Sequence, residues 1–181
     1  MNFKDFILQN KNKIISILFI LPVAVVFCWI TFDIRFRVYS INENRYYQII
    51  NKNSGKRLDV PGSASGDNVK IIQYDATGSA NQLWKFVYVS KGLYKIKNKY
   101  SQKCLDILNE NGVTYLVQNQ DNNGSNQKWI LRKSGGGFYF IVSSASNNYL
   151  DVPQSSKNSG EKIILYPQTN NDNQKWEIAK K

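Results

Sequence analysis

The hydrophobic pattern divides the chain into two unlike parts. Residues 14–32 form a run of 19 residues without a charge, and a helix of that length spans roughly 29 Å, close to the ~30 Å hydrocarbon core of a bilayer. From residue 46 onward the apolar runs are short, β-branched and aromatic, and clusters of Asn, Gly and Ser separate them. This second pattern is typical of strands joined by turns, and no sustained helical period follows residue 46.

The apolar run predicts an uncleaved transmembrane anchor. A cleaved signal peptide is the alternative, but its apolar region usually has only about 7–15 residues and ends in small residues, whereas bulky Phe27 precedes Cys28 here. The resulting organisation is a polar tail at 1–13, a single transmembrane helix (signal anchor) at 14–32, a spacer at 33–45 and a folded domain at 46–181.

The charges that flank the apolar run leave its orientation open. Three basic residues precede the run and three follow it: Lys4, Lys11, Lys13, Arg35, Arg37 and Arg45. An equal count favours neither side under the positive-inside rule, and long domains cross the membrane largely regardless of charge. These charges allow a C-terminal domain on the outer surface without selecting it, and we expect a single-pass membrane protein with that orientation.

Residues 46–181 consist of three copies of one unit, at about 46–91, 92–136 and 137–181. Each copy begins with Tyr-x-Ile and reaches an Asp twelve positions after the Tyr. Each copy ends in Asn-Gln-x-Trp, and the second copy is two residues shorter than the others between Asp and Trp. Repeats of this length also occur in helical pairs and propeller blades, but the apolar runs here predict about four strands in each unit.

Three Gln-x-Trp motifs, each with an upstream Leu-Asp, resemble the ricin B-chain type lectin family over residues 46–181. The resemblance implies an all-β fold, a β-trefoil of three repeats in which six of twelve strands close a barrel and six cap it. It also implies up to three shallow sugar pockets, one in each repeat. We expect the motif residues Trp84, Trp129 and Trp176 to fill the core.

The resemblance also assigns roles within a pocket. The Asp accepts hydrogen bonds from sugar hydroxyls, an aromatic ring stacks on the sugar, the Asn bonds a hydroxyl and the Gln supports the site. In the first repeat these roles fall on Asp59, Tyr74, Asn81 and Gln82, and in the third on Asp151, Tyr166, Asn173 and Gln174. These residue types suit a sugar, because a carboxylate pairs with hydroxyl donors and a ring contacts polarised C–H groups.

The second repeat carries a weaker candidate site. It keeps Asp106, Asn126 and Gln127, but Asn119 stands where the other repeats have the stacking ring. We therefore expect this pocket to be weak or inactive.

The amino-acid composition excludes several kinds of catalytic and metal site. The chain of 181 residues has no His, which excludes His-dependent triads and His-ligated zinc. Its two cysteines are Cys28 in the apolar run and Cys104 in the folded part, so we expect no internal disulfide. Apart from the threefold Asp set, no carboxylates are spaced as a glycosidase pair. We expect a binding protein with no enzymatic activity, no cofactor and no metal.

The chain is strongly basic, with 24 Lys and Arg against 13 Asp and Glu and a net charge of +11. The charge is spread without long runs, and no nucleic-acid-binding motif is present, so we expect no nucleic acid partner. Electrostatic adhesion to anionic polymers stays open as a further class of function.

The sequence thus predicts a membrane-anchored carbohydrate-binding protein (lectin) at the cell surface, with galactose-type glycans among its candidate ligands. The alternative is a structural or protein-interaction trefoil subunit of a membrane complex, with protein partners and degenerate sugar sites.

Overall fold

The computed structural model describes residues 41–90 and 92–181, and its compact unit runs from Asn42 to Lys181. The tail predicted at 1–13 and the transmembrane helix predicted at 14–32 lie outside the described residues, as does most of the spacer at 33–45. Among the described residues, no helix has the length and apolar character needed to cross a membrane.

The described residues form thirteen strands that pair into one sheet. In chain order the strands are β1 (Tyr47–Asn51), β2 (Arg57–Asp59), β3 (Val69–Lys70), β4 (Ile72–Tyr74), β5 (Trp84–Ser90), β6 (Leu93–Asn98), β7 (Cys104–Glu110), β8 (Val113–Asn119), β9 (Trp129–Gly135), β10 (Phe138–Ser143), β11 (Tyr149–Asp151), β12 (Ile164–Tyr166) and β13 (Trp176–Lys180). Five short 3₁₀ turns lie between them, at Pro61–Ser63, Ala80–Gln82, Ser125–Gln127, Pro153–Ser155 and Asp172–Gln174.

Six strands close a barrel. Around the ring, β1 pairs with β5, β5 with β6, β6 with β9, β9 with β10, β10 with β13 and β13 with β1, all antiparallel. The last pairing joins the first strand to the final one, with Tyr47 opposite Lys180. Closure leaves no free edge among these six strands, which removes the usual route to edge-to-edge association.

Six of the seven remaining strands cap the barrel as three hairpins, β2–β4, β7–β8 and β11–β12, and the short β3 pairs with β8. Three backbone hydrogen bonds, each 2.9 Å long, join these hairpins in a closed triangle: the N–H of Ile71 donates to the carbonyl of Leu116, Leu116 to Ile163, and Ile163 back to Ile71. The arrangement is a β-trefoil with pseudo-threefold symmetry, which confirms the predicted all-β fold of three repeats.

The strand count differs from the expected twelve because the third strand of the first repeat is divided. Strand β3 pairs with β8 and β4 pairs with β2, and Ile71 between them belongs to the hydrogen-bonded triangle. In the third repeat the counterpart of β3 is a single bridge between Lys162 and Ile72.

The three motif tryptophans begin the last strand of each repeat and have no solvent exposure. The indole N–H of each donates to the carbonyl of the Leu that precedes the repeat's Asp, at 3.0 Å, 3.3 Å and 3.2 Å for the pairs Trp84–Leu58, Trp129–Leu105 and Trp176–Leu150. The prediction that they fill the core is confirmed. Each also ties the barrel to the hairpin that carries the Asp.

Replacing Trp129 by Ala is expected to lower the free energy of unfolding by about 3–5 kcal/mol, the range for emptying a large buried aromatic site. The carbonyl of Leu105 also loses its indole donor. Urea denaturation followed by circular dichroism measures the change. Tyr100→Ala is the control, because that side chain is 52% exposed, and it should shift stability by no more than about 0.5 kcal/mol. Equal shifts in both variants would contradict the assignment of Trp129 to the core.

Candidate functional site

Two pockets, each of about 350 Å³, lie at equivalent positions of the first and third repeats. The first, called site 1, is lined by Asp59, Pro61, Gly62, Ser63, Ile72, Tyr74, Thr77, Ser79 and Asn81. The other, called site 3, is lined by Asp151, Pro153, Gln154, Ser155, Ile164, Tyr166, Thr169, Asn171 and Asn173. Every lining position of one pocket has its counterpart in the other, and the residue type changes only from Gly62 to Gln154 and from Ser79 to Asn171.

The cap hairpins place the carboxylate beside the ring. Asp59 ends β2 and lies opposite Ile72, while Tyr74 ends β4 opposite Arg57. Side chains two positions apart on a strand share a face, so Asp59 and Tyr74 point to the same side of the hairpin. Asp59 is only 3% exposed and Tyr74 is 42% exposed. The hairpin thus presents a buried carboxylate next to a solvent-exposed aromatic ring.

A short 3₁₀ turn after the Asp forms a wall of each pocket, at Pro61–Ser63 and Pro153–Ser155. Proline at its first position fixes the backbone for the turn, and the next residue is left-handed, with φ of 60° at Gly62 and 54° at Gln154. The sequence analysis did not identify these lining residues. The signal for them was the Val-Pro that follows the Asp in the first and third repeats but not in the second.

In site 1 the amides behind the pocket hold the acid in place. Asp59 Oδ2 accepts hydrogen bonds from Asn81 Nδ2 at 3.1 Å and Gln82 Nε2 at 2.8 Å, whereas its Oδ1 has no partner among the described residues. Gln82 also donates to the carbonyl of Asp75 at 2.7 Å and accepts from the N–H of Thr77 at 2.9 Å. One fully buried carboxamide therefore positions both the acid and the loop that carries Thr77.

Site 3 uses the same groups, but its two amides bond different oxygens of the acid, Oδ1 for Asn173 and Oδ2 for Gln174. Asp151 accepts from Asn173 Nδ2 at 3.0 Å and from Gln174 Nε2 at 2.8 Å. Gln174 donates to the carbonyl of Pro167 and accepts from the N–H of Thr169, both at 2.8 Å. The predicted Asp, Tyr and Asn residues of both repeats thus line the pockets, whereas Gln82 and Gln174 lie behind the pocket walls, fully buried.

The two pocket asparagines each keep one acceptor unpaired. The Nδ2 of Asn81 donates to Asp59 and to the carbonyl of Val60, but Oδ1 of Asn81 and Oδ1 of Asn173 are buried without a hydrogen-bond partner among the described residues. An unpaired buried acceptor costs about 1–3 kcal/mol. A donor that enters either pocket can reduce that cost.

Burial raises the pKa of Asp59 and Asp151 above the ordinary value of 3.8. Removal of the carboxylates from water is the main cause, because it disfavours the charged form. The hydrogen bonds from Gln82 and Asn81, and from Gln174 and Asn173, act in the opposite direction and lower these pKa values only in part.

The acid of the second repeat is occupied by the protein's own donors. Asp106 Oδ2 accepts from Asn119 Nδ2 at 3.1 Å and Gln127 Nε2 at 2.9 Å, while Oδ1 accepts from Asn126 Nδ2 at 2.5 Å and the N–H of Ile107 at 2.6 Å. Asn119 occupies the position that carries the stacking ring in the other repeats, and it also donates a hydrogen bond to the carboxylate. An acceptor position that a ligand could use is thus occupied by the protein itself.

The second repeat also builds a different wall. Its hairpin β7–β8 continues in register from Cys104 opposite Asn119 to Glu110 opposite Val113, without the 3₁₀ turn that lines sites 1 and 3. Cys104 is a free, buried thiol, and burial raises its pKa to about 11. In the part of the chain that the structure describes, no group of three or more acidic or Cys side chains is arranged to hold a metal ion.

A family model of the ricin-type β-trefoil lectin domain matches residues 45–180. Comparison with curated protein sequences gives no match. Among solved structures, the chain is similar to the designed threefold-symmetric protein ThreeFoil, with 35% identity and a TM-score of 0.70 over 74% of this chain and 97% of that one.

Two natural proteins are also similar. The C-terminal half of an earthworm R-type lectin, solved in complex with GalNAc, has 26% identity and a TM-score of 0.60 over 76% of this chain and 99% of that one. An exo-β-1,3-galactanase from Clostridium thermocellum has 33% identity and a TM-score of 0.73 over 78% of this chain. The match spans only 31% of the galactanase chain.

Replacing Asp59 by Asn is expected to change stability in a pH-dependent way. Because the folded-state pKa of Asp59 is raised, its stabilising contribution is complete below pH 3.8 and is lost as pH rises through the folded-state value. Asn carries no charge, so the unfolding free energy of D59N relative to the parent should increase over that interval. Urea denaturation at a series of pH values measures this difference.

Asp75→Asn is the matched control with the opposite sign. The hydrogen bond from Lys56 lowers the pKa of the exposed Asp75 carboxyl, so this variant should lose stability relative to the parent as pH rises. The same slope in both variants would contradict the burial of Asp59.

Proposed function

The chain belongs to the ricin-type β-trefoil lectin family, and from this premise we propose that it binds carbohydrate through site 1 and site 3 without catalysing a reaction. One observation carries the proposal. In two of the three repeats, a buried carboxylate, an amide with an unpaired oxygen and an exposed tyrosine line one pocket. In the second repeat the corresponding carboxylate already accepts hydrogen bonds from neighbouring side chains of the protein.

This set of groups suits the two kinds of surface that a sugar ring presents. Hydroxyl groups along the edge donate to Oδ1 of Asp59 and to the amide oxygen of Asn81, and bonds to the charged acceptor are the stronger kind. The C–H face of the sugar packs on the ring of Tyr74, whose negative face attracts polarised hydrogens. Asp151, Tyr166 and Asn173 take the corresponding roles in site 3, where each oxygen of Asp151 already accepts one amide hydrogen bond and offers its other lone pair.

The affinity of one site is expected to be low. A hexose has about 12 heavy atoms, and roughly 0.3 kcal/mol for each gives about 4 kcal/mol, or a dissociation constant on the order of 1 mM. Simultaneous use of both sites on a branched or repeated glycan raises the effective affinity by about 10²–10⁴. Galactose-type glycans are the first ligands to test, since the similar earthworm lectin was solved with GalNAc.

Four substitutions test the two sites. We expect the full-length chain in detergent micelles to bind a defined set of neutral glycans on an array, and the double variant D59N/D151N to lose at least tenfold of that binding because the charged acceptors are gone. Tyr74→Ala with Tyr166→Ala should weaken binding of the same glycans. These two side chains are 42% and 51% exposed, so their removal leaves the core packing intact.

Asp106→Asn is the matched control, because its carboxylate already accepts four hydrogen bonds from the protein. It should leave the glycan profile unchanged. Equal binding by the parent and by both double variants would overturn the assigned sites and favour the protein-interaction alternative.

We also propose that residues 14–32 anchor the protein in a membrane, with the C-terminal domain on the outer surface. The support is the sequence, namely the length of the uncharged run and the absence of a small-residue cleavage site. The anchor would array many copies of sites 1 and 3 on one surface, which suits sites that are individually weak.

Membrane fractionation tests the anchor. The full-length chain should stay in the membrane pellet after a carbonate wash. Val23→Lys with Val26→Lys should release the protein, since each Lys near the centre of the run costs about 2.5–3.5 kcal/mol of insertion free energy. The matched control V23L/V26L keeps the run apolar and should stay in the pellet.

Protease added to intact cells tests the orientation, and it should cleave the C-terminal domain. Release of the parent chain by the carbonate wash would contradict the anchor, and protection of the domain from protease would contradict its place on the outer surface.

A further inference from the structure

A third pocket, of about 390 Å³, lies on the outer side of strands β5 and β6 and takes in part of the second repeat's final loop. We call it the lysine pocket. It is lined by Val87, Tyr88, Val89, Lys95, Lys97, Asp121, Asn123 and Lys128. Three of these residues are cationic and one is acidic, so the pocket carries an excess of positive charge.

Only one of the three lysines is neutralised by a direct partner. Lys95 Nζ lies 2.7 Å from Asp121 Oδ1 and 2.5 Å from Asn123 Oδ1. Lys97 and Lys128 make no ion pair or side-chain hydrogen bond within residues 41–90 and 92–181. These two charges are therefore available to an anion that enters the pocket.

A fourth lysine adds to the unbalanced charge. Lys85 on β5 lies directly opposite Lys97 on β6, and like charges at opposed positions of an antiparallel pair destabilise the sheet. Lys85 also makes no ion pair in the described part of the chain. An oxyanion bound beside Lys97 would offset this repulsion.

The trefoil itself does not require these lysines. At the positions equivalent to Lys95 and Lys97, the first repeat has Gln48 and Ile50. The third repeat has Phe140 and Val142, which are buried in a cluster with Tyr149. Lys95 and Lys97 are thus specific to the second repeat, whereas Lys128 has a basic counterpart in Lys175 of the third repeat and Lys85 belongs to the first repeat.

The rest of the lining suits a sugar ring. Val87 and Val89 line the pocket, and Val89 is 38% exposed. The Tyr88 ring packs edge-on against the buried Tyr94, so it lies on the barrel face of β5, opposite the face that carries the lysines. Oδ2 of Asp121 accepts no hydrogen bond among the described residues, so it is open to a hydroxyl donor. The valine side chains can contact the C–H groups of a sugar while the Asp121 carboxylate accepts a hydroxyl hydrogen.

We propose that the lysine pocket binds an acidic saccharide, with its carboxylate or sulfate group between Lys97 and Lys128 and its C–H groups against Val87 and Val89. A phosphodiester backbone fits less well, because it has no hydrogen to donate to Asp121 and because a confined pocket cannot follow a strand as an extended basic groove does. This site is separate from site 1 and site 3 and does not depend on the function proposed for them.

Binding of charged and neutral oligosaccharides to the full-length chain in detergent micelles tests the site. The probes are oligogalacturonate for the carboxylate, dextran sulfate oligomers for the sulfate and neutral dextran as the uncharged reference. At physiological salt the parent should bind at least one acidic probe, and K97Q/K128Q should bind it at least tenfold more weakly. The matched control K180Q/K181Q removes the same charge from two exposed lysines outside the three pockets, and it should stay within twofold of the parent.

Two further variants separate this site from the others and from simple ion binding. D59N/D151N should keep acidic-probe binding even where neutral-glycan binding is lost, so failure of one proposal is distinguishable from failure of the other. Val89→Ser should weaken binding of the acidic oligosaccharide but leave binding of inorganic sulfate unchanged.

Three outcomes would overturn the inference. The first is an equal loss in K97Q/K128Q and K180Q/K181Q, which would mean attraction by net charge alone. The second is tighter binding of oligothymidylate or of phosphatidylglycerol vesicles than of either acidic oligosaccharide. The third is binding of neither acidic probe by the parent.

Discussion

The arrangement of each repeat depends on one buried carboxamide, that of the Gln in the Gln-x-Trp motif. In all three repeats its Nε2 donates to the acid on the second strand and to a backbone carbonyl, and its Oε1 accepts from a backbone N–H five residues earlier. Each of these hydrogen bonds holds either the acid or the backbone of the final loop in position. The Gln therefore holds the acid and the final loop in a constant relation, whether or not a pocket forms in front of them.

Because that support is the same in every repeat, the differences between repeats lie in the groups in front of the acid. Sites 1 and 3 have a 3₁₀ turn and an exposed tyrosine there, so the acid faces an open pocket. In the second repeat Asn119 bonds Asp106 directly, and the hairpin runs on without the turn. The acid accepts hydrogen bonds from the Asn and the Gln in both cases, and in the second repeat it accepts two more, from Asn119 and from the N–H of Ile107. A repeat can thus lose its pocket without losing its place in the fold.

The sequence predicted what the threefold repetition constrains. The repeat boundaries, the buried tryptophans and the residues around sites 1 and 3 all follow from motifs that occur more than once, so each copy supports the interpretation of the others. The divided third strand of the first repeat was not predictable, because it arises from the backbone triangle through Ile71, which forms only when three distant segments meet. The pocket walls at Pro61–Ser63 and Pro153–Ser155 were missed, since a short left-handed turn leaves only a weak signal in the sequence.

The lysine pocket could not be predicted from the motifs that the three repeats share. Its residues come from the end of one repeat and from the beginning and final loop of the next, and no motif joins them. Lys85 and Lys97 are brought into opposition only by the register of β5 against β6. Residues that occur in every repeat are those that the fold requires. A residue pair that occurs once and lowers the stability of the sheet is not explained by the fold. The opposed lysines at the junction of the first and second repeats are such a pair, and the proposed anionic ligand would offset their repulsion.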